Sequence, residues 1–158
     1  MGFDLAKFKE PKLEDINLEG TRNNVGTFFV TYLAFRERVG LPREPAITEK
    51  YSLAPITDSD VDQGMKNQML ENEELKKEFF ELHELFVLGY TSIEHPFKPA
   101  ATERRKRIFY DRYINGHSAF TISERNQVGK DVVTCESKKA IVQFAEALEI
   151  TDYKKRRE

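Results

Sequence analysis

Apolar side chains between Thr21 and Val39 recur as Val25, Phe28, Phe29, Tyr32, Leu33 and Phe35, a broad surface that predicts an amphipathic helix. Gly40 and then Pro42 supply its stop. Leu41 to Asp60 holds three prolines and few apolar pairs, and reads as an extended connection. Its last residues, Ile56 to Asp60, offer a hydroxyl or carboxylate cap to the next helix. From Val61 to about Gly89 apolar positions return mainly at three and four, which predicts one long helix or two. Tyr90 to Ala101 breaks that pattern with two prolines. Thr102 is expected to cap a helix with Ile108, Phe109, Tyr113 and Ile114 inward, ended by Gly116. A short helix, Ser118 to Asn126, then carries Ile122 inward. After a break at Gln127, Val128 and Gly129, a longer helix sets Val133, Ser137, Ala140, Ile141, Phe144 and Leu148 on one side.

The pattern predicts an all-α fold: an N-terminal helical body followed by a C-terminal helix-turn-helix. Met1 to Gly20 is expected to be an arm, or a short helix with a loop. Residues 21–95 form the body, 102–150 the helix-turn-helix and 151–158 a basic tail. The many aromatic side chains on the first long helix need a partner surface, either the chain's own core or a second copy.

A chain of 158 residues, 39% hydrophobic and 33% charged, can bury a modest core and is too apolar for a disordered polymer. No apolar run approaches the ~20 residues of a membrane span, so no membrane partner is expected. The one cysteine, Cys135, excludes an internal disulfide framework and fits a reducing cytoplasm. Net charge is −2, which gives no hint of nucleic acid, but its distribution does. Glu103 to Glu158 holds 13 Lys+Arg and 9 Asp+Glu, a net of +4, so the first 102 residues carry −6. A basic C-terminal third on an acidic body is the asymmetry of a chain in which one module meets phosphate.

The faces of the last helices agree with that. A short helix, a tight turn and a longer helix make the shape whose second helix enters a DNA major groove. Lys130, Asp131, Thr134, Cys135 and Lys138 share the polar side of the second helix and can reach base edges or phosphates. Arg104, Arg105, Arg107 and Arg112, with Lys106, make the preceding helix basic, and as its first helix this would cross the backbone and touch phosphates. The alternative for each is a solvated charged face. The Lys154 to Arg157 run adds nonspecific attraction or solubility.

The span Glu103 to Leu148 resembles the helix-turn-helix of sigma-factor region 4. The carrying residues are the Arg112-Tyr113 pair, the Ile122, Glu124 and Val128 core, the Lys130-Asp131 opening and the Lys138-Lys139-Ala140-Ile141 step. Over residues 18–150 the chain is similar to the ArpU family of phage late-gene transcriptional regulators. The match lies in its aromatic N-terminal helix, in Tyr51-Ser52-Leu53 and in the closing Phe144, Ala145 and Leu148. Membership would imply a phage or prophage regulator of late genes for packaging and lysis. It would bind double-stranded DNA, with host RNA polymerase and a homodimer as further partners. Three positions depart from the pattern: Asn126 and Gln127 stand where it has an apolar residue and Gly, and Glu136 where it is apolar. They leave a longer or displaced turn as an alternative. A protein–protein module with the same fold and no DNA contact is the second functional reading.

No enzyme chemistry is legible. His83, His95 and His117 fall in different elements with no ligand spacing, and there is no phosphate loop or nucleophile elbow. His83 is a sequence neighbour of Glu81 and Glu84 but, at i,i+2 and i,i+1, shares a helix face with neither. No catalytic residue, metal or cofactor is therefore expected.

Overall fold

A computed structural model describes residues 2–155 and is all-α, with no strand among them. Seven helices succeed one another: α1 (Leu5–Phe8), α2 (Leu18–Arg38), α3 (Asp58–Asn67), α4 (Glu73–Thr91), α5 (Pro99–Phe109), α6 (Ala119–Asn126) and α7 (Lys130–Ala147). A π-helical turn, Tyr110–Ile114, prolongs α5.

Local chemistry sets most of these limits. Asn17 caps α2 by accepting from the Gly20 amide. Gly40, at φ +82, turns the chain immediately beyond its C-terminus. Its backbone lies so close to Gly64 that a Cβ on either would strike main-chain atoms. Thr57 and Asp60 form a reciprocal capping box on α3. The long pattern from Val61 onward is two helices, because Met69 adopts a left-handed conformation (φ 57) and Asn72 caps α4.

One expectation shifts at α5. Thr102 does not cap it: the helix begins a turn earlier at Pro99, which is suited to a first-turn position because it lacks an amide donor. The Thr102 hydroxyl instead accepts from the His95 amide at 2.7 Å and ties down the preceding loop.

The connection between α2 and α3 is held by side-chain donors rather than by a regular element. Arg36 Nε donates to the Pro42 carbonyl at 2.8 Å, Tyr110 Oη to Pro45 at 2.6 Å and Tyr90 Oη to Tyr51 at 2.8 Å. The stretch from Asp152 to Lys154 is likewise anchored. Asn17 N donates to Asp152 O at 2.8 Å and Lys154 N to Asp15 O at 2.9 Å, which holds it beside the start of α2. The last two residues of the basic run, Arg156 and Arg157, lie outside the described residues.

The main core draws side chains from both the body and the C-terminal helices. Tyr32, Phe79, Phe86, Phe109 and Phe144 are all fully buried in one cluster, which takes side chains from α2, α4, α5 and α7. The Phe144 ring centre lies 5.2 Å from both Phe29 and Phe109. Gly89 of α4 sits against the Phe144 ring with no room for a side chain. The second half of α7 is therefore the central strut of the whole chain, and the C-terminal helices do not stand clear of the body. The aromatic surface of α2 finds its cover within the chain.

Candidate nucleic-acid interface

The hydrogen-bonded ends of α6 and α7 define the local geometry. Ser118 caps α6 by accepting from the Thr121 amide at 3.2 Å. At its other end Gln127 is left-handed, with φ 53 and ψ 42. Its amide donates to Glu124 O at 3.3 Å and the Val128 amide to Ser123 O at 3.1 Å, the paired bonds of a Schellman ending. Gly129 then opens α7, accepting from the amides of Val132 and Val133. The turn is Gln127 to Gly129, and Gln127 takes the left-handed conformation that glycine adopts most readily.

Three fully buried side chains, Ile108 of α5, Ile122 of α6 and Val133 of α7, close a second small core, with Ala119 and Val128 around it. This contact fixes the angle between the two helices. It also turns the other side of α7 outward: Lys130, Asp131 and Cys135 are exposed, and Thr134 and Lys138 are half-buried at its edges. All five belong to one helical face, because positions three and four apart stack along a helix. Asp131 lies in the first turn, where the helix dipole favours a carboxylate.

The arginines of α5 are arranged differently from the expectation. Arg105 does not point to solvent. It is 4% exposed, and its Nε meets Glu136 Oε2 at 2.6 Å while Nη1 donates to Glu94 O, also at 2.6 Å. It is a structural cation and not a phosphate contact. The reason is geometric: the cations at 104 to 107 succeed one another at about 100° around the helix, so one of them must face inward. Glu136, charged at an apolar position of the pattern, is the inward partner that receives it.

Arg107 places its guanidinium 5.3 Å from the Tyr51 ring centre, leaning on the α2–α3 connection. Lys106 lies 5.4 Å from the Tyr90 ring centre, and burial lowers its pKa from the ordinary lysine value. Arg104 and Arg112 are half-buried. One guanidinium nitrogen of each is shielded from solvent without a hydrogen-bond partner. The basic wall beside α7 is therefore thinner than the count of arginines suggests.

Sequence reasoning missed Phe120. It is 53% exposed on the first turn of α6, with the Lys130 ammonium 5.1 Å from its ring centre. The signal was available: with Ile122 inward, positions two residues to either side, Phe120 and Glu124, must face outward. Arg125 and Lys139 are further cations of this region, and an Arg125 guanidinium nitrogen lies 3.2 Å from His117 Nδ1.

The remaining titratable groups lie apart. Among the described residues no three His, Cys, Asp or Glu side chains gather as metal ligands would. His83 is hydrogen-bonded to Tyr32 Oη at 2.7 Å inside the body. Burial, and secondarily the Arg36 charge, lowers its pKa to about 4. No helix of the described residues is long and apolar enough to cross a membrane. Set against family models, curated proteins and solved structures, the chain matches none, so the functional reading rests on this geometry and on the residues that form it.

Proposed function

We propose that the protein is a regulator of transcription that binds double-stranded DNA, with the outward face of α7 lying in a major groove. The observation that carries this is the α6–turn–α7 unit: a three-residue turn, a fixed interhelical core, and Lys130, Asp131, Thr134, Cys135 and Lys138 together on the uncovered side. Lys130 and Lys138 donate to guanine edges or phosphates, Asp131 accepts from cytosine, and Thr134 serves either. Arg104, Arg107 and Arg112 flank the duplex and contact phosphates with whatever part of each guanidinium is free. The sequence resemblance adds the setting: phage or prophage late genes, contact between the body and host RNA polymerase, and a homodimer that would engage two half-sites.

A titration of a fluorescent duplex recovered by binding selection from a random library tests this. Affinity should fall steeply with salt, since phosphate contacts release counterions. Replacing Lys130 and Lys138 by Ala should weaken binding by about 1–3 kcal/mol for each lysine that reads a base. Unchanged affinity rejects those assignments.

A second reading is a protein–protein module that uses the same fold without DNA. The inward turn of Arg105 and the exposure of Glu124 and Asp131 favour it, because both reduce the positive charge presented to a duplex. Binding to RNA polymerase with no salt-dependent binding to any duplex would select it.

A further inference from the structure

We propose that Phe120 is a base-reading residue of this interface, and that its ring takes the C5-methyl of a thymine next to the group bound by Lys130. The inference rests on the DNA-binding reading above and goes beyond it by naming a base and the side chain that selects it.

Phe120 is the one large apolar side chain exposed between Lys98 and Asp152 among the described residues. Every other large apolar side chain of α6 and α7 turns toward a core or lies partly covered at its edge. Its ring is not idle on the surface. It meets the ammonium of Lys130 at 5.1 Å, bridging the first turns of α6 and α7. The two side chains thus offer an apolar plate and a cation side by side, at the edge of the outward face of α7.

A major groove has one feature that answers such a pair. Thymine alone of the four bases presents a methyl group there, and guanine N7 and O6 or a phosphate oxygen present the acceptor that a lysine needs. The ring also limits the rotamers of Lys130, so less side-chain entropy is lost when the ammonium finds its acceptor.

The test is a pair of selections from a random duplex library, one with the full wild-type chain and one with Phe120→Ala. Phe120 is exposed, so this variant should melt as the wild type does. Wild-type selection should enrich thymine at a fixed position, and the variant should lose that preference. Replacing that thymine by deoxyuridine removes only the methyl. It should weaken wild-type binding roughly three- to fivefold, the equivalent of one buried methyl group, and leave the variant unaffected. Phe120→Leu, which keeps an apolar plate, should retain part of the uridine penalty.

A duplex that binds with no thymine preference, or with equal uridine penalties for both proteins, overturns this assignment and leaves the DNA-binding reading standing; such a ring packs on sugar without reading sequence. Failure of the wild type to bind any duplex overturns both.

Discussion

Gln127 carries a side chain at a left-handed backbone position, φ 53, where a Cβ crowds the following carbonyl. The Schellman bonds around it hold that conformation in place. Gln127→Gly should relieve the crowding, partly offset by the greater freedom of glycine in the unfolded chain. The expected gain is up to about 1 kcal/mol, read as a rise in the denaturant midpoint with an unchanged slope. His83 makes a different prediction. Its pKa falls from the usual 6.5 to about 4 in the fold. Above pH 6.5 both folded and unfolded chains hold it neutral, and it adds no pH dependence. Between about 6.5 and 4 the unfolded chain takes up a proton that the folded chain refuses, so stability declines as pH falls through that window and levels off below it. Allowing for solvent screening of a half-buried imidazole, the loss should be about 1–2 kcal/mol. His83→Gln can still accept from Tyr32 and should lack this component, seen as a flatter stability profile between pH 7 and pH 4.

Helices α5 and α7 are joined by a buried ion pair as well as by apolar contact. Arg105 and Glu136 face each other away from solvent, and Gln143 and the Glu94 carbonyl complete the arginine's partners. Removing one member strands the other charge. Arg105→Ala should destabilise the chain by about 3–5 kcal/mol, whereas Arg105→Met with Glu136→Leu should recover most of that loss. Chemical denaturation of Arg105→Met, Glu136→Leu and the double variant measures the coupling directly. The pair also explains why a carboxylate stands on the inner face of α7: it neutralises the one cation of a four-residue basic run that cannot face water. A region rich in arginine thereby becomes less basic at its surface than its composition implies.

The molecule is organised around α7, whose two halves serve different cores. Ile108, Ile122 and Val133 lock its first half to α5 and α6, while Ala140, Ile141, Phe144 and Ala145 bind its second half to α2 and α4. Its outward face is thus carried on a rigid support anchored in the whole chain. A fragment of residues 99–158 would expose the Phe144 face of α7 and lose its aromatic partners Phe29 and Phe86. It should show low helicity by circular dichroism and no cooperative melt, while the full chain unfolds in one transition. A fragment that melts sharply would mean that the smaller core suffices.

Much of this was legible along the chain, for a local reason. Helix spacing, the cap at Thr57, and stops at Gly40 and Gly116 depend on neighbours three or four residues away, and these appear in any linear reading. The limits of α6 and its turn, and the outward placement of Lys130, Asp131 and Cys135, arise from the same spacing. Partners distant in sequence were not legible. Arg105 finds Glu136 31 residues on, and Tyr110 reaches Pro45 65 residues back. Periodicity specifies that a residue faces inward, not which partner waits there. Composition therefore marked out a basic C-terminal region, but packing chose which of its cations remain at the surface. It also carried the second half of α7 into the core of the body, since the aromatic faces of α2, α4 and α7 bury more apolar area together than any of them could apart.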